Sequence, residues 1–201
     1  MKQFRLSVAV LLTVWGLAGM GGAVADNGSG VSGVKVVKSE QKKVRLHTEA
    51  GQPIDVALID ADGNVLYQGL VSSAKSKDLT LNLNSLPDGQ YFLTASTNNW
   101  WMSQGLTIQA NAVNVDERKL KQIEQPQITT YAKNKVQVVV PATNVEDANV
   151  AIFDAQNVPV LTETLNGTIR RYDLSSLPEG SYTFVVGPSE KKFSTRIDIR
   201  R

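Results

Sequence analysis

One pattern of nine residues constrains this chain more than anything else in it. Leu83-Asn84-Ser85-Leu86-Pro87-Asp88-Gly89-Gln90-Tyr91 returns as Leu174-Ser175-Ser176-Leu177-Pro178-Glu179-Gly180-Ser181-Tyr182, a copy displaced by 91 residues. Each position of Leu-x-x-Leu-Pro-x-Gly-x-Tyr has a mechanical meaning. The first leucine closes an inward-facing strand, and the second (Leu86, Leu177) plugs the end of the core as the chain leaves the sheet. Pro87 and Pro178 fix φ near about −65°, and Gly89 and Gly180 are expected to supply a backbone conformation that other residues resist. Tyr91 and Tyr182 then begin the next strand, ring inward, with the hydroxyl free to bond backbone upstream. That is the logic of a tyrosine corner in a Greek-key sandwich, and its repetition predicts one module written twice.

The flanking segments alternate as strands should. Val34, Val36 and Val37 begin one strand, Val44 and Leu46 a second, and Ile54, Val56, Leu58 and Ile59 a third. Asp60-Ala61-Asp62-Gly63-Asn64 is a turn signal that returns the chain into Val65-Leu66-Tyr67 as a hairpin. Leu79, Leu81 and Leu83 precede the corner; Tyr91, Leu93 and Ala95, then Met102, Leu106 and Ile108, follow it. The second copy repeats this plan from Ile128 to Ile199, and no segment shows a persuasive 3.6-residue period. Short strands at roughly 8–12 residue spacing predict an all-β chain of two tandem immunoglobulin-like antiparallel β-sandwiches after an N-terminal signal peptide. The expected boundaries are a signal peptide over 1–25, a Gly/Ser-rich lead-in over 26–33, sandwiches over 34–110 and 126–201, and a linker over 111–125. Within that linker Asp116–Glu124 is charged, with only Leu120 and Ile123 to bury.

Lys2 and Arg5 precede an apolar run from Leu6 to Leu17, and Ala23-Val24-Ala25 fits a small-x-small cleavage site, so the mature chain is expected to start at Asp26. The run is shorter than the roughly 20 residues that span a bilayer. There is no cysteine, which leaves neither a lipid-anchor site nor disulfide staples, so each module must rest on its apolar core. The expectation is an exported protein, periplasmic or extracellular, with no membrane anchor after cleavage. Of the 21 basic residues two fall in the signal, leaving 19 against 19 acidic ones. A neutral mature chain gives no electrostatic case for nucleic acid.

Asp60-x-x-Gly63-Asn64-Val65-Leu66-Tyr67 followed by Leu83-x-x-Leu86-Pro87-x-Gly89-x-Tyr91 resembles the carboxy-terminal sorting domains of type IX secretion. It is equally similar to the small exported β-sandwich proteins of bacteria that use that pathway. The resemblance implies an exported, non-catalytic domain and, in the sorting case, recognition by outer-membrane machinery. The second copy reads Asp154-Ala155-Gln156-Asn157, without the glycine of the first, and two modules would fill nearly the whole mature chain. We therefore favour an interaction or structural role at the cell envelope, with a sorting or adhesion module as the alternative.

No catalytic, cofactor or metal residues are expected. His47 is the sole histidine, has no nucleophile motif around it, and cannot supply the three or four N/S ligands of zinc. Asp60–Asn64 lacks the glycine and glutamate spacing of a calcium loop. Asn166-Gly167-Thr168 matches a glycosylation sequon, though the Asn-Gly pair suits a hairpin turn better. The partner is an unknown protein or a glycan. Displaced by 91 residues, Trp100 and Trp101 fall opposite Lys191 and Lys192, so the tryptophans are expected near a hairpin tip and partly exposed. With Asn98, Asn99 and Gln104 beside them they could stack on a sugar or anchor a protein, the third hypothesis being a carbohydrate-binding module. The competing reading packs the tryptophans between the modules.

Overall fold

The computed structural model describes residues 34–48, 52–72, 78–141 and 148–200; the expected signal peptide and lead-in lie outside them. Every regular element among these residues is a strand, as the period-two burial of alternating segments demands. The chain divides into two compact units. One takes the chain to Thr97 together with Met102–Leu120, and the other takes Asn98–Trp101 with Lys121 onward.

In the first plan β1 (Val34–Glu40), β2 (Lys43–Thr48) and β5 (Asp78–Asn82) form one antiparallel sheet in the order β1-β2-β5. β3 (Ile54–Asp60), β4 (Val65–Val71), β6 (Gly89–Ser96), β7 (Trp100–Gln109) and β8 (Ala112–Glu124) form the other, in the order β4-β3-β6-β7-β8. Val44, Leu46, Ile54, Val56, Leu58, Leu81 and Leu93 are buried from these strands, and Leu83 from the corner after β5. The second plan repeats the order. β9 (Gln127–Ala132), β10 (Lys135–Val139) and β13 (Ile169–Asp173) pair as β13-β10-β9. β11 (Asn149–Phe153), β12 (Pro159–Thr164), β14 (Gly180–Gly187) and β15 (Phe193–Ile199) pair as β12-β11-β14-β15. Its core gathers Val136, Val138, Val150, Ile152, Tyr172, Leu174, Tyr182, Phe184 and Val186. Two antiparallel sheets exchanging strands in this order make each an immunoglobulin-like sandwich.

Two expectations are corrected. Residues 112–124, expected within a charged linker, form the thirteen-residue β8. Its connection to β7 is Ala110-Asn111, both at positive φ (49° and 60°), which is the signature of a type I′ hairpin turn. The sequence around Asp116–Glu124 contains little apolar material because β8 is the outermost strand of its sheet, with Glu117, Arg118, Lys119, Lys121 and Glu124 exposed. Second, Asn166-Gly167 is not a hairpin: β12 and β13 belong to different sheets, and the chain crosses between them with Gly167 at φ 94°.

Candidate functional site

The two repeated corners are built alike. Leu86 N donates to Leu83 O at 3.0 Å, and Leu177 N to Leu174 O at 3.0 Å, closing the turn that precedes each proline. The Tyr91 hydroxyl donates to Pro87 O at 2.9 Å and the Tyr182 hydroxyl to Pro178 O at 3.0 Å, while both rings are buried. Burial, with the Asp60 and Asp88 charges behind it, pushes the Tyr91 phenol up, so it stays a donor at neutral pH. The glycines have a milder role than the sequence suggests. Gly89 has no positive φ, and Gly180, at 159°, is nearly extended. A Cβ on Gly89 would stand 3.7 Å from the Tyr91 ring, an ordinary contact. Neither strain nor space requires glycine at Gly89.

Sequence reasoning missed what anchors the first corner. Lys42 is buried at 7% exposure, and its ammonium donates to Leu86 O at 2.7 Å and Asn84 O at 3.4 Å. Its own carbonyl accepts from Leu83 N at 2.8 Å. In the second unit Asn134 stands there, its carbonyl accepting from Leu174 N at 2.9 Å. The Asn134 amide donates to Arg200 O at 2.9 Å and its side-chain oxygen accepts from Arg200 N at 3.2 Å. A lysine in a polar stretch carries no sequence sign of burial; only the second copy's divergence there could have drawn notice.

The Asp60 and Asp154 turns explain the missing glycine. Asp60 Oδ1 accepts from Asp62 N and Asn64 N at 3.0 and 2.8 Å, and Asp154 Oδ1 from Gln156 N and Val158 N at 2.9 and 2.8 Å. Gly63 sits at φ 85° and Asn157 at 61°: asparagine is among the few other residues that tolerate this region, so one turn is written two ways. The Asn64 side-chain amide, followed by backbone amides, holds the Asp60 carboxyl below its usual range. These oxygens face amides of their own turn. Among the described residues no three His, Cys, Asp or Glu side chains converge as metal ligands. His47 is exposed and pairs with Asp78 across β2 and β5.

The Trp100 region departs from expectation. Asn98 and Asn99 are exposed and Trp101 half-buried, but Trp100 is 5% and Gln104 4% exposed. Trp100 shares the parity of Met102, Leu106 and Ile108, all buried on β7. The Lys191 comparison failed because β7 begins two residues before the strand that corresponds to it: β15 starts only at Phe193, opposite Met102. Gln104 is committed to its own backbone, its amide donating to Asp116 O at 2.6 Å and Gly105 O at 3.1 Å. A sugar-stacking face built on Trp100 and Gln104 is therefore not presented to solvent.

A polar cluster in the second unit lies where β12 passes to β13. Arg170 donates to Glu163 through Nε and Nη2 at 2.9 and 3.2 Å, and the Tyr172 hydroxyl to Glu163 at 2.9 Å. Arg170, then Tyr172, holds the Glu163 carboxyl below its usual range, and burial followed by the Glu163 hydrogen bond pushes the Tyr172 phenol strongly up. The Tyr172 ring also meets Phe184 edge-on at 5.8 Å.

Residues 38–122, from β1 nearly to the end of β8, match the family model of the secretion system C-terminal sorting domain. The match includes most of β8. No curated protein matches the chain. Among solved structures, a biofilm-associated protein's BSP domain aligns over 83% of this chain at 14% identity with a TM-score of 0.28. The chain spans 29% of that protein's length. A two-domain fibronectin type III segment of chicken tenascin aligns over 85% of this chain and 98% of its own, at 9% identity and a TM-score of 0.29.

Proposed function

We propose that this chain is an exported, non-catalytic β-sandwich protein with an interaction or structural role at the cell envelope. The observation that carries this reading is the match of residues 38–122 to a secretion sorting domain. It is supported by the side chains themselves. The carboxylates of Asp60, Asp154 and Glu163 are engaged by turns and by a strand edge, an arrangement that builds a scaffold rather than a reacting centre. Partner recognition then falls to exposed strand edges and faces.

The test is location. The full chain, carrying an epitope in the exposed Asp62–Gly63 turn, is produced in a bacterium that has type IX secretion and is followed by fractionation and surface proteolysis. Recovery from periplasm, cell surface or medium supports the reading, and retention in the cytoplasm overturns it. Deleting residues 126–201 separates the alternatives: secretion to the medium without them would show that the second sandwich is not the sorting signal.

A further inference from the structure

Among the described residues strand β15 has a neighbour on one side only. The order β12-β11-β14-β15 leaves its outer edge unpaired among the described residues, whereas β7, its counterpart in the first unit, carries β8 there. Burial records the difference. Displaced by 91 residues, Met102 matches Phe193 and Ile108 matches Ile199, and all four are buried. Between them the copies diverge: Leu106 is 1% exposed, but Ile197 is only partly buried against its core. Ser103 and Gly105 are buried where Ser194 and Arg196 are exposed. β7 and β15 are one strand design, covered in one unit and open in the other.

We propose that the open edge of β15 pairs with β15 of a second copy of this chain, antiparallel and centred on Ile197. The argument for self-pairing is charge register. The exposed side chains of β15 and its end are Ser194, Arg196, Asp198 and Arg200. About a two-fold axis at Ile197, Arg196 lies opposite the copy's Asp198, and Asp198 opposite the copy's Arg196. Ile197 lies opposite itself, so two incompletely covered isoleucines meet on the core face. A centre at Arg196 sets Arg against Arg. A centre at Asp198 sets Asp against Asp and Arg196 against Arg200. Like charges directly opposite are destabilising, and a slip of one residue mixes the two faces; of these three centres only Ile197 satisfies both, and it alone sets Arg196 against Asp198. Ser181 on β14 prepares the charged pair: Arg196 Nε donates to its Oγ, which donates to Asp198 Oδ1 at 2.7 Å. Open edges are commonly blocked by charges such as Lys; alternating signs on β15 invite a self-complementary, isologous contact instead.

The experiment is sedimentation equilibrium on the chain from Asp26 to Arg201 over a range of concentrations. The parent should rise toward twice the single-chain mass. Arg196→Asp and Asp198→Arg each create two like-charge pairs and should weaken dimerisation about tenfold or more. The double exchange Arg196→Asp with Asp198→Arg rebuilds the register and should restore it. Circular-dichroism melts of each variant separate loss of the dimer from loss of the fold. A parent that stays monomeric to its solubility limit overturns the proposal. So do single variants that dimerise like the parent, or a double variant that melts normally yet does not recover.

Discussion

Removing one oxygen atom from Tyr91 tests the corner directly. Tyr91→Phe keeps the ring, which is 4% exposed, and deletes only the donor to Pro87 O at 2.9 Å. The residue that supplies the acceptor is exposed, so water can reach the abandoned carbonyl. The cost is therefore the net value of one hydrogen bond, about 1 kcal/mol, rather than the larger penalty of a sealed, unpaired group. In a domain of this size that corresponds to a fall of about 4–8 °C in Tm. Tyr182→Phe removes the same bond to Pro178 O at 3.0 Å and should cost the same. Gly89→Ala is the internal contrast. The same motif at a position with no positive φ and an ordinary 3.7 Å contact should shift stability by less than about 0.5 kcal/mol. Urea unfolding with unchanged m-values reads all three. If both phenylalanine variants unfold with the parent, or if Gly89→Ala costs more than either, the account of the corner is wrong.

Three further outcomes are expected. Ala110→Gly relieves a left-handed alanine at φ 49° and, after the entropy glycine adds to the unfolded chain, should stabilise the first unit by about 0.5–1 kcal/mol in urea unfolding. Lys42→Met leaves Leu86 O without its 2.7 Å donor and should cost about 1–3 kcal/mol, read in the same assay. Tyr172 has its phenol raised above the ordinary 10.0. Its contribution is therefore complete below about pH 10 and lost as pH rises through the folded-state value, because the unfolded phenol ionises first. Thermal melts of parent and Tyr172→Phe between pH 8 and 11 (roughly spanning the phenol range) should converge as pH rises, and a constant gap would contradict the assignment.

What could be read from sequence was what is local. The corner spans nine residues and contains its own hydrogen bond, so Leu83–Tyr91 discloses both its geometry and, by recurring, the repeated architecture. The alternation of Leu79, Leu81 and Leu83 needs no knowledge of partners either. β8 was hidden because its strand character comes from the edge of β7 and the Ala110-Asn111 turn, not from its own apolar content. Trp100 was misplaced by an alignment that held for Met102 and Ile108 but not for the strand's first two residues. Lys42 was invisible because burial of its aliphatic stem and ammonium depends on carbonyls more than 40 positions away. The missing glycine at Asn157 looked like a departure until φ 61° showed the same turn.

The anchoring of the first corner joins a local contact to a distant one. The Tyr91 bond joins residues four apart, and the Lys42 bond to Leu86 joins residues 44 apart. Loop-closure entropy separates these two events by about 2 kcal/mol. On loop length alone the corner is the cheaper of the two to close, and the Lys42 bond comes with the pairing of β2 and β5. Asn134 and Arg200 in the second unit, 66 residues apart, close a longer loop still. In each unit a side chain reaches across a long loop to backbone, and in the first unit the carbonyl it meets belongs to the repeated motif.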